Sequence, residues 1–90
     1  EIPIKFYLSQ NYPNPFNPVT KISYGIANGT NVSVKVFDLL GKEVATLVNE
    51  FQASGNYFTT FDATLYPTGI YYYRINAGDF SEVRKMSLIK

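Results

Sequence analysis

Apolar and polar residues alternate along most of this chain with a period of two. In Thr20-Lys21-Ile22-Ser23-Tyr24-Gly25-Ile26 the alternation puts Ile22, Tyr24 and Ile26 on one face, the pattern of a half-buried strand. Val32 to Phe37 repeats it with Val32, Val34 and Val36. Glu43 to Asn49 breaks the period, because Val44 and Leu47 fall on opposite faces of a regular strand. A bulge between them would turn both toward a core. Tyr57 to Asp62 alternates with Tyr57 and Phe61 inward, and Ile70 to Ala77 with Tyr71, Tyr73 and Ile75. A short strand over Lys5 to Leu8 and a long one over Phe80 to Lys90 complete the set. That last run is long against a mean strand of about 5–6 residues, so a bulge or a change of sheet is expected near Glu82.

Turn signals separate these runs. Asn28-Gly29 is the strongest short turn signal in the chain, and reads as the link between two neighbouring strands. Asp38-Leu39-Leu40-Gly41-Lys42 is the next turn, with Gly41 expected at positive φ. Ala53-Ser54-Gly55-Asn56 turns the chain, Leu65-Tyr66-Pro67-Thr68-Gly69 is a corner, and Gly78-Asp79 closes a hairpin. Seven strands with turns at this spacing predict an all-β chain, an immunoglobulin/fibronectin-like antiparallel β-sandwich. Leu65-x-Pro67-x-Gly69-x-Tyr71 is similar to a tyrosine corner, in which a Tyr hydroxyl bonds back to the corner backbone; Tyr71 reads equally as a plain core ring.

One stretch does not alternate. Tyr12-Pro13-Asn14-Pro15-Phe16-Asn17-Pro18-Val19-Thr20 holds Pro13, Pro15 and Pro18, three of the five prolines. Each lacks an amide donor and pushes its predecessor toward extended geometry. The segment is therefore stiff and unable to form a central strand. It carries Tyr12 and Phe16 as large rings worth burying, and is expected to lie along the edge or end of a sheet. This divides the chain into an entry linker with a short strand over residues 1–11 and a single sandwich over 12–90.

Composition narrows the chemistry. Ninety residues make one domain, and with no cysteine there is no disulfide staple, so the 17% of aromatic residues must fill the core. The net charge of +1 comes from basic residues spread along the chain, which gives no footprint for nucleic acid. No apolar run is long enough for a membrane span. The start, Glu1-Ile2-Pro3-Ile4-Lys5, lacks the order of a secretory leader, and the chain is expected to be the end piece of a longer polypeptide. With no histidine and no cysteine, serine–histidine and thiol nucleophiles and the common zinc sites are excluded. Asp38, Asp62 and Asp79 sit at strand ends or turns, where Asp is favoured for local hydrogen bonds. No calcium loop appears, so no catalytic residue, cofactor or metal is expected. Asn28-Gly29-Thr30 and Asn31-Val32-Ser33 match the glycosylation acceptor pattern by coincidence of turn residues. The function left is binding.

Several motifs stand together. Asn11-Tyr12-Pro13-Asn14-Pro15-Phe16-Asn17-Pro18-x-Thr20-x-Ile22-x-Tyr24 resembles the opening of the C-terminal sorting domains of the bacterial type IX secretion system, type A. Val34-x-Val36-Phe37-Asp38-x-x-Gly41-x-x-Val44-x-x-Leu47, Gly55-x-Tyr57-x-x-x-Phe61-Asp62 and Pro67-x-Gly69-x-Tyr71-Tyr72 resemble its middle, and Lys85-Met86-x-Leu88-x-Lys90 its end. Phe61 stands where the family often has Trp. The pattern also shades into the Ig-like domain of flagellar hook-capping proteins. The resemblance implies a delivery label: a cargo domain N-terminal to this one crosses the periplasm, translocon components read the label, and the cargo reaches the outer-membrane surface or the medium. It also implies a surface sortase-like protease that can remove the label. Lys85, Met86, Leu88 and Lys90 are the expected partner-recognition residues; Met86 and Leu88 first read as period-two core. An exposed terminal strand would offer a backbone edge to such a partner. The competing expectation is an accessory sandwich that steadies an extracellular, polysaccharide-degrading enzyme. Ending on the Lys85–Lys90 motif favours the first, and the domain is expected to act as a monomer.

Overall fold

A computed structural model describes residues 4–90. Among the described residues seven strands form: β1 Tyr7–Leu8, β2 Val19–Ile26, β3 Thr30–Phe37, β4 Glu43–Gln52, β5 Gly55–Asp62, β6 Gly69–Ala77 and β7 Phe80–Leu88. They pair antiparallel in two sheets, ordered β1-β2-β5 and β4-β3-β6-β7. The alternating apolar faces meet between the sheets. Ile22, Tyr24 and Ile26 from one sheet and Val32, Val34, Val36, Tyr73 and Ile75 from the other are all at most 1% exposed. This is the expected β-sandwich. β1 lies over β7 on one side, and β4 lies under β5 on the other.

The expected bulge in β4 is present. The β3–β4 register shifts between Val34 and Lys35 and between Val36 and Phe37, so Leu47 and Val44 have no opposite residue. Both pack against the core. Gly41 sits at φ 86° and lets the Asp38–Lys42 turn close. Asp38 Oδ1 accepts from the N–H groups of Leu40 and Lys42, 2.9 Å each, as a turn aspartate should. Tyr71 is both a core ring, 4% exposed, and a corner, because its hydroxyl donates to Pro67 O at 2.6 Å. Gly55 and Gly69 open β5 and β6. Tyr57 is half-buried and stacks on Tyr24 at 5.6 Å.

Three expectations fail. Asn28-Gly29 does not join paired strands: β2 and β3 lie in different sheets, and Gly29 is not at positive φ. The chain crosses the sandwich there, because only that brings the Tyr24/Ile26 face onto the Val32/Val34 face. β7 neither bulges nor changes sheet near Glu82; it pairs with β6 in one register from Phe80 to Leu88. Tyr12 is 81% exposed. Its N–H and C=O both bond Lys21, so the backbone is held while the ring points outward.

Residues 4–11, expected as a linker with a short strand, are fastened to the sandwich; residues 1–3 of that segment lie outside the described residues. Leu8 is 1% exposed and β1 is confined to Tyr7–Leu8. Gly25 faces this segment. A Cβ there would run into the Tyr7 ring and the Lys5 carbonyl. Gly25→Ala is expected to cost about 1–3 kcal/mol by overpacking, read as a lower urea midpoint. A midpoint unchanged from wild type would show that the first segment can move away freely.

Candidate functional site

The proline ribbon carries too few donors to satisfy its own carbonyls. Side chains do it instead. Asn11 Nδ2 donates to Pro13 O (3.1 Å) and to Thr20 Oγ1 (3.0 Å), and Thr20 Oγ1 donates to Pro13 O (2.9 Å). Both residues are buried, at 2% and 1% exposure, as expected of polar groups only when paired. Tyr73 fixes the approach to the ribbon from across the sandwich: Asn11 N–H donates to its hydroxyl (2.8 Å), which donates to Ser9 O (2.6 Å). Sequence reasoning missed Asn11 and Thr20 as structural residues. The available signal was a pair of short polar side chains flanking a segment poor in donors.

The ribbon is laid against the terminal strand. Phe16 N–H donates to Ser87 O (2.9 Å) and Ile89 N–H to Phe16 O (3.0 Å), a parallel bridge to Leu88. Ser87 N–H donates to Asn14 Oδ1 (3.0 Å), and Gln10 Nε2 donates to Lys85 O (2.7 Å). Arg84 Nε donates to Leu8 O (2.6 Å). The Lys85 and Ser87 carbonyls and the Ser87 and Ile89 N–H groups on the outward side are thus already partnered, so the expected exposed edge at the chain end is occupied by residues 10–16. Phe16 itself is 2% exposed and packs on Phe61 at 6.1 Å, as the ribbon pattern required. Pro13 and Pro15 are exposed and Pro18 half-buried.

The expected recognition residues divide by burial: Lys85 lies on the outer face of β7, and Lys90 lies past the strand's end at Leu88. Met86 (0% exposed) and Leu88 (1%) point into the core. Lys85 and Lys90 are exposed. Lys90 is also a clasp, since its Nζ donates to Thr64 O (2.6 Å) and its N–H to Thr68 Oγ1 (3.1 Å). Asp62 beside it is held below the usual carboxylate range, mainly by the Thr64 hydroxyl and N–H it accepts from, and less by the Lys90 charge. That is turn chemistry. Among the described residues no group of acidic side chains could hold a metal ion, and no helix is long and apolar enough to cross a membrane.

Burial pushes the Tyr73 phenol up to about 12 and raises Tyr24 and Tyr71 in the same direction. A folded pKa above the unfolded one, about 10 for tyrosine, means the fold holds the protonated form. That contribution is whole below pH about 10 and is lost as pH rises through about 12. The urea midpoint is therefore expected to fall steeply across this window. Tyr73→Phe should flatten the fall, at a cost of about 1–3 kcal/mol at neutral pH for the Asn11 N–H left unpartnered. A midpoint independent of pH in the wild type would contradict this.

No curated protein and no solved structure is similar enough to match the chain. A family model, described as the secretion system C-terminal sorting domain, matches residues 10–90. That span takes in the ribbon, every strand from β2 onward and the terminal lysines, so the chain belongs to the type IX secretion C-terminal sorting domain family.

Proposed function

We propose that this domain is read through the exposed side of its terminal strand while it escorts a cargo through the periplasm. Membership of the family makes it a sorting signal for type IX secretion, directing export to the cell surface or beyond. The observation that carries the finer reading is the split in burial along β7 and the two residues that follow it. Met86 and Leu88 are consumed by the core, which leaves Lys85 and Lys90 as the part of the motif a folded domain can show. Charges of this kind steer encounter and fix register more than they add affinity. Translocon components are the proposed readers, and a surface sortase-like protease the proposed processing enzyme. The domain is proposed to act as a monomer.

The test reverses both charges. Lys85→Glu/Lys90→Glu is expected to stay folded, because both side chains are exposed and the fold loses only the Lys90–Thr64 bond, about 0.5–1.5 kcal/mol. Its cargo should accumulate in the periplasm. Normal surface delivery would make the lysines a solvated rim. The family is not a catalytic one, and the purified 90 residues are expected to turn over nothing; a hydrolase or lyase activity surviving a contaminant control would refute that. The accessory-module reading has no observation in its favour.

A further inference from the structure

A two-sheet sandwich has four edges, and here they differ. The β1 edge and the second half of β7 are stitched to each other by the ribbon and by Arg84, and the first half of β7 carries the Glu82–Arg84 ion pair. The β4 edge is broken by two register shifts and carries Glu43 and Glu50; bulges and edge charges are the usual protection against strand addition. β5 has neither. It pairs with β2 in one unbroken register and holds no charge before Asp62. Ala63 N–H donates to Pro18 O at 2.8 Å. The alternation of an antiparallel ladder then turns the backbone groups of Asn56, Phe58 and Thr60 away from β2, toward the open side.

The apolar layer is incompletely closed on that same side. Val44, Leu47, Val48 and Tyr57 pack against the core yet remain partly exposed; on the opposite side Leu8 and Phe16 are buried and the partly exposed Phe6 and Phe80 are stacked on each other. On the outer face Phe58 is 63% exposed, with Lys21 Nζ 4.3 Å above its ring. We infer that the β5 edge accepts an extended strand from a partner protein of the secretion machinery. That strand carries apolar residues at alternate positions, to finish the cover over Tyr57, and an acidic residue on its outer face, beside Lys21. A second copy of this chain fits less well, because it would bring a second Lys21 to the same face. The inference rests on the sorting reading and adds a second contact surface, on the other sheet from the terminal strand with Lys85.

The experiment removes a backbone donor that the fold does not use. Thr60→Pro, with Thr60→Ala as control, is placed in a secreted reporter that carries this chain at its C-terminus. Thr60→Ala should deliver normally. Thr60→Pro should lose at least ten-fold in surface delivery while the purified chain melts close to wild type. If Thr60→Pro melts early, Phe58→Lys/Thr60→Lys replaces it, since it alters only exposed side chains, and the same loss is expected. Normal delivery by the folded edge variant overturns the inference. Deletion of residues 10–90 separates the two readings. Delivery lost there but kept by the edge variant overturns the edge inference alone; delivery kept by both overturns the sorting reading with it. Sedimentation of the purified chain should show monomer. A dimer that Thr60→Pro dissolves would assign the edge to a second copy and overturn the partner assignment.

Discussion

Replacing Phe16 by alanine is expected to cost about 3–5 kcal/mol, a large part of the roughly 5–10 kcal/mol available to a domain of this size. The ring is 2% exposed and sits against Phe61. The cavity left behind would not close easily, because the Phe16 backbone is bonded on both its N–H and its C=O to β7 and cannot follow the surrounding side chains inward. The loss should appear as a lower urea midpoint with an unchanged slope. A loss below about 1 kcal/mol would mean that the ribbon is held by its backbone bonds and by Asn11 alone. Tyr12→Ala is the contrast: the ring is 81% exposed, and little change is expected.

Deleting residues 83–90 is expected to abolish cooperative unfolding and cargo delivery together. The deletion removes Met86 and Leu88, each worth about 2–5 kcal/mol of core packing. It also takes Arg84 from Leu8, and Ser87 and Ile89 from the ribbon. Their sum meets or exceeds the whole stability of a small domain. Circular dichroism of the purified variant and the location of its cargo measure the two effects. Normal delivery after this deletion would remove the sorting reading itself. Loss of delivery alone would not prove recognition by the terminal strand, since an unfolded domain also fails. The charge-reversed lysine pair answers that question, because it spares the core.

Much of the fold was legible in local pattern. Every strand was anticipated, since alternation over six to ten residues is set by which face is wet, and that needs no knowledge of the partner strand. The missing period at Val44 and Leu47 revealed the bulge for the same reason. The spacing Pro67-x-Gly69-x-Tyr71 placed the corner. The candidate site was legible in part. Motif order pointed to the family, and period two already put Met86 and Leu88 indoors before their burial was seen.

What failed was each judgement that needed a distant segment. Asn28-Gly29 carries the composition of a hairpin turn, and only the placement of the two sheets shows the chain crossing between them. Tyr12 and Phe16 are equivalent by hydrophobicity, and which ring is buried follows from the ribbon's register against β7. The length of β7 suggested a break that a full-length partner, β6, makes unnecessary. The sequence by itself therefore determined the strands, their faces, the class of fold and the absence of histidine and cysteine chemistry. Tertiary structure alone decided which edges are covered and which is open. Edge cover depends on pairs such as Asn14 and Ser87, 73 positions apart, and a backbone donor or acceptor at an edge leaves no mark on the residue that carries it.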